Sequence, residues 1–183
     1  MDFDRWLVMN RKMKWLALTA LAWTAPGIAA PAWQLGAEWG IAEHGSALTR
    51  LTVAGPRSYA VGSTGAWSWH VIPEINIGRW FDDTGDHDLW EAGLTPVLEA
   101  RRLIPLGIIG VNMGIGAHLL SATRFDGNDL GSAFQFGDHV GLNWQSTDGR
   151  WVLGYRFQHL SNAGMAPPNE GVNFHVLHVS WRY

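Results

Sequence analysis

From Trp33 to Tyr183, apolar and polar positions alternate with a period of two. Trp33, Leu35, Ala37, Trp39 and Ile41 are interleaved with Gln34, Gly36, Glu38 and Gly40. The same repeat runs through Trp67, Trp69, Val71, Pro73, Ile75 and Ile77, through Trp90, Ala92, Leu94, Pro96 and Leu98, and through Ile109, Val111, Met113, Ile115, Ala117 and Leu119. Successive side chains of a strand point to opposite faces, so each run predicts a strand with one bulky apolar face and one face of glycine and polar groups. Eight strands are predicted, over 33–44, 47–55, 66–79, 88–101, 108–121, 132–146, 150–161 and 171–183. Such lengths suit an oblique bilayer crossing, which takes roughly 9–11 residues per strand.

Which face looks outward decides the class. Tryptophan, isoleucine and leucine recur on the bulky face of almost every strand, and together they are too large for the interior of an eight-stranded barrel. The opposite face combines glycines with Glu38, Glu74, Glu91, Glu99, Arg101, Arg156, His70, His118 and His139, and carboxylates can meet cations there away from lipid. The expectation is an all-β protein, an eight-stranded antiparallel transmembrane β-barrel with its bulky wall in hydrocarbon. A soluble lipocalin-like barrel would instead put the tryptophans inside. Trp67, Trp80, Trp90, Trp144, Trp151 and Trp181, near strand ends, are expected to form an interfacial girdle. Leu177, Val179, Trp181 and Tyr183 resemble the C-terminal strand signature of bacterial outer-membrane barrels. With the N-terminal end periplasmic, the segments near 44–47, 80–88, 122–131 and 162–170 become external loops.

Composition narrows the picture. The 183 residues include no cysteine, 47% are apolar, 16% are charged and the net charge is −3. That fits one domain, excludes a disulfide scaffold or thiolate metal site, and lacks the basic excess that nucleic-acid backbones require. Asn10-Arg11-Lys12-Met13-Lys14, the apolar run Trp15 to Ala25 and small residues through Ala32 predict a secretory signal peptide over residues 1–32. Translation would start at Met1 or Met9, with cleavage after Ala29 or Ala32. The barrel over 33–183 is therefore expected in the outer membrane of a Gram-negative bacterium.

The candidate chemistry lies in Tyr155-Arg156-Phe157-Gln158-His159-Leu160-Ser161-Asn162-Ala163-Gly164. His159 and Ser161 share the parity of Trp151, Leu153, Tyr155 and Phe157, the lipid-facing set. A polar pair on such a wall is costly and points to function. Read on residues alone, the pair fits a general base beside a nucleophile, with Asn162 and the backbone near Gly164 as oxyanion donors. It equally fits a rim histidine bonded to a hydroxyl. Arg50, Arg57, Arg79 and Arg124 are either contacts for lipid phosphates or solvated cations.

The longer string His159-Leu160-Ser161-Asn162-Ala163-Gly164, followed by Pro168-Asn169-Glu170-Gly171 and the closing aromatic strand, resembles the PagL family of lipid A 3-O-deacylases. The resemblance implies a serine esterase that hydrolyses the 3-position ester of lipid A and releases a 3-hydroxy fatty acid. It assigns Ser161 as nucleophile, His159 as general base, and Asn162 with Gly164 as oxyanion donors. The family's acid is commonly a glutamate at the position of Asn173. Asn173 has the outward parity needed to face His159, and its amide oxygen could orient the imidazole. Glu170, in the preceding loop, is the alternative partner, and His175 is a further outward histidine. The mechanism needs no metal or cofactor. Partners on this reading are lipid A or lipopolysaccharide, the outer membrane and, as an option, a second copy in a homodimer, with no nucleic acid. The competing function is a non-enzymatic outer-membrane barrel serving adhesion or minor transport.

Overall fold

The computed structural model describes residues 33–56 and 59–183. The expected signal peptide and Arg57 lie outside them. Eleven strands are present among the described residues: β1 (Gln34–Ala42), β2 (Ala47–Ala54), β3 (Tyr59–Thr64), β4 (Trp67–Phe81), β5 (Leu89–Ile104), β6 (Gly107–Leu120), β7 (Arg124–Phe125), β8 (Asn128–Asp129), β9 (Phe134–Gln145), β10 (Trp151–Ser161) and β11 (Val172–Arg182). Eight of them, β1, β2, β4, β5, β6, β9, β10 and β11, pair antiparallel in chain order. The sheet closes where β1 pairs with β11, from Gln34 opposite Arg182 to Ala42 opposite Phe174. Closure leaves no open edge in the eight-stranded wall, which a hydrocarbon environment demands. The sequence missed β3, which extends β4 below the wall, and the small β7–β8 hairpin in the third external loop.

Burial alternates along β1 as it does along β4, β5 and β11. The outward set includes Leu35, Ile75, Ile77, Leu94, Ile115 and Leu142, all exposed on a continuous apolar wall. An apolar surface of that extent belongs against lipid. Trp90, Trp144 and Trp151 stand on this wall near strand ends, and Trp151 packs edge-on against Trp181 at 4.6 Å.

The interior is layered. In its middle, Arg156 makes a two-pronged bond to Glu74 at 2.6 and 2.8 Å and reaches Glu38 at 3.1 Å. Arg50 donates to Glu91 at 2.7 Å and to Gln158 at 2.5 Å. Arg50 is thus an interior cation, which corrects its reading as a phosphate contact or solvated cation: inward parity on β2 places it among carboxylates. His118 meets Glu91 at 2.5 Å, and a Cβ at Gly93 would come 2.5 Å from its ring, so only glycine leaves room there. His70 bonds to Ser68 rather than to a carboxylate.

Toward the external end the interior turns apolar. Trp80 packs edge-on against Phe125 and Phe174 at 5.0 and 4.8 Å, with Leu48, Leu160 and Val176 in the same buried cluster. Trp80 is therefore no member of the lipid-facing girdle. Its even position turns it inward, where its indole N–H donates to Glu91 at 2.6 Å. This plug fills the lumen beneath the external loops.

Candidate active site

The last turn of β10 places His159 and Ser161 two residues apart on the outer face, at the external rim. Register fixes their neighbours. Asn173 of β11 stands directly opposite His159 on one side, and Asp138 of β9 stands opposite it on the other. His159 Nδ1 lies 2.7 Å from Asn173 Oδ1. An amide oxygen only accepts, so this bond holds the proton on Nδ1 and leaves Nε2 as the acceptor. That is the tautomer a general base needs. Among the described residues the Ser161 hydroxyl makes no hydrogen bond, although it shares the outer face with His159. Catalytic hydrogen bonds are often loose until substrate is bound.

Glu170 is directed elsewhere. Its carboxylate accepts the Asp129 N–H at 2.5 Å, which binds the fourth external loop to the third. Asn173 is thus the residue brought to the imidazole. Asn162 is fully buried, and its carboxamide donates to the carbonyls of Leu130 and Ala166 at 2.8 and 2.5 Å. Its main-chain N–H donates to Asn169 Oδ1 at 2.8 Å. An oxyanion role for the Asn162 side chain is therefore at odds with this arrangement, because its donors already hold the loop together. Gly164 lies exposed in the same loop at φ 76°, after Ala163 at φ 56°. Two consecutive left-handed residues turn the chain sharply just beyond Ser161. His175 faces outward as expected, bonded to the Tyr155 hydroxyl at 2.6 Å.

Three residues beside the site were not singled out from sequence. Gly171, at φ 72°, sits against the imidazole: a Cβ there would lie 2.7 Å from His159 Cε1. Asp138 is an exposed carboxylate on the lipid-facing wall, and its parity with Val140 and Leu142 was the available signal. Glu43, in the turn between β1 and β2, accepts a hydrogen bond from Asn173 Nδ2 at 2.7 Å. No sequence pattern announces it, since 130 residues separate the partners.

Comparison with known proteins places the chain in a family and shows its fold. The family model described as Lipid A 3-O-deacylase (PagL) matches residues 18–182. Lipid A deacylase PagL of Bordetella bronchiseptica is 30% identical over 151 residues, which cover 79% of this chain and 80% of that protein. The protein of the same name from Pseudomonas aeruginosa is 37% identical over 67 residues, covering 37% of this chain and 38% of its own. A crystal structure of the outer membrane enzyme PagL superposes with a TM-score of 0.73 at 22% identity, over 80% of this chain and 97% of that one. The eight-stranded fold is shared.

Proposed function

The chain belongs to the lipid A 3-O-deacylase (PagL) family, and from that premise we propose that it hydrolyses the 3-position ester of lipid A with Ser161 as nucleophile. The observation that supports this most is the placement of a correctly polarised imidazole beside a hydroxyl on the lipid-facing wall of an outer-membrane barrel. Neither group has a structural reason to stand among Tyr155 and Phe157.

In the reaction, Ser161 Oγ attacks the ester carbonyl carbon while His159 Nε2 takes the hydroxyl proton. Charge collects on the former carbonyl oxygen, and the main-chain N–H groups of Gly164 and Asn162, just beyond Ser161, are the candidates to meet it; Asn162 would have to share its bond to Asn169. Collapse of the tetrahedral intermediate breaks the bond to the sugar 3-oxygen, which leaves with the proton from His159. Water then repeats the sequence, freeing a 3-hydroxy fatty acid and restoring Ser161. Acyl chains lie along the apolar wall, so substrate enters sideways from the outer leaflet rather than through the plugged lumen. No metal or cofactor takes part in these steps. A homodimer is not required, because nucleophile, base and His-orienting amide come from adjacent strands of one chain.

Mass spectrometry of lipid A from cells expressing the protein tests the reading. The wild type is expected to remove one hydroxyacyl chain and Ser161→Ala to leave lipid A intact; an active Ser161→Ala variant would refute the mechanism. Asn173→Ala is expected to lower the rate far more than Glu170→Ala. If only Glu170→Ala abolishes hydrolysis, the orienting role belongs to the loop carboxylate.

A further inference from the structure

We propose that Glu43 is a positioning residue for this reaction, supplying through Asn173 the fixed orientation and negative charge that Asn173 itself lacks. The inference rests on the assignment of His159 as general base. Two adjacent strands, β10 and β11, and the turn that follows β1 carry the row. Continuing the β1–β11 register one step past Ala42 and Phe174 sets Glu43 opposite Asn173, and the next register sets Asn173 opposite His159. Two bonds of 2.7 Å link them, His159 Nδ1 to Asn173 Oδ1 and Asn173 Nδ2 to Glu43 Oε1.

The chemistry of an amide makes the second bond consequential. A carboxamide can present oxygen or nitrogen to the imidazole, and the two presentations have opposite effects. With its N–H groups toward His159, Asn173 would stabilise the tautomer protonated on Nε2, which cannot accept the serine proton. An ionised carboxylate only accepts, so Glu43 admits the amide nitrogen and turns the oxygen to Nδ1. In a serine protease, an amide in place of the acid lowers the rate about 10⁴-fold, chiefly through the wrong tautomer. Here the carboxylate one residue further out removes that fault. Its charge also polarises the amide, so that the imidazolium formed during attack still sees negative charge beyond Asn173.

Glu43 lies on the exposed turn that closes the β1–β2 hairpin, outside the wall's apolar band. Other ionisable groups near His159 are Asp138 on β9 and His175 on β11, the latter bonded to Tyr155, while Glu170 is engaged by Asp129. None of these is bonded to Asn173.

The test compares the full-length wild type, Glu43→Gln, Asn173→Glu and the double variant Glu43→Gln/Asn173→Glu, each purified folded and assayed on lipid A across pH, with Ser161→Ala as the inactive control. Glu43→Gln keeps the size but offers Asn173 either an oxygen or a nitrogen. Its kcat is expected to fall about 10- to 100-fold, less than the loss for a directly bonded acid. Its acid limb is expected to move to lower pH, because removing negative charge makes the imidazolium easier to deprotonate. In the double variant a carboxylate touches the imidazole directly, and activity is expected to return to within a few-fold of the wild type. Wild-type kcat and an unmoved acid limb in Glu43→Gln would overturn the proposal, as would a double variant no more active than Glu43→Gln. An active Ser161→Ala control would instead refute the underlying esterase assignment.

Discussion

At the scale of single residues, the site depends on how closely the backbone approaches the imidazole. Gly171 lies in the left-handed region with its missing Cβ aimed at His159, so its replacement strains the backbone and displaces the ring together. A shift of about 1 Å in a catalytic group can cost about 10²-fold in rate. Gly171→Ala is therefore expected to lose about that much activity while the barrel still forms, read as lipid A turnover beside heat-modifiable gel mobility. His159 and Ser161 were legible in the sequence because their parity put polar groups on a greasy face. Asn173 was legible through the family resemblance, as the residue at the position of the family's acid, and its outward parity agreed. Asp138 shares that parity, and only its isolation from any motif hid it. Glu43 was not legible, because its relation to Asn173 exists only through the pairing of β1 with β11.

Strands and loops divide along the same line. The eight wall strands fall within a few residues of the sequence expectation because an apolar outer face against a polar inner face gives a clean two-residue rhythm. That rhythm fades where both faces are apolar. Leu48, Trp80 and Phe174 are inward yet hydrophobic, so the plug was hidden in the pattern and Trp80 was assigned to the wrong side. The external loops are held by polar bonds that alternation does not encode. Asp82 accepts hydrogen bonds from Asp126 N–H at 2.9 Å, Thr84 N–H at 3.0 Å and Gly85 N–H at 2.8 Å. Partial burial pushes the Asp82 carboxyl up, but these hydrogen bonds outweigh it and hold it below its ordinary value. A lowered folded-state value stabilises the loops fully above about pH 4 and loses that contribution as pH falls through the lowered value. Hydrogen-exchange protection at the Thr84 and Gly85 amides, measured against the intrinsic rate at each pH, is expected to fall over that acidic range in the wild type. Asp82→Asn should exchange faster at neutral pH, with much less response to acid.

Across the whole molecule, the barrel inverts the usual arrangement of a soluble protein: ion pairs within, hydrocarbon-loving groups without. Ile75 stands near the middle of β4 on the outer wall, and it is 59% exposed, so lipid must cover it. Ile75→Arg is expected to destabilise the inserted barrel by about 2–4 kcal/mol, the range for a cation at the bilayer midplane. Equilibrium unfolding from lipid vesicles measures this; a change near zero would place the wall outside the hydrocarbon. The seam between β1 and β11 has a further consequence. Glu43, Asn173 and His159 sit on either side of the joint where the first strand meets the last, so the complete row does not exist in a chain whose ends are still apart. Asn173 and His159 still meet across β10 and β11 before the ends join. Only closure brings the Glu43 carboxylate to the amide, so on the role proposed for Glu43 full hydrolytic competence waits on completed assembly.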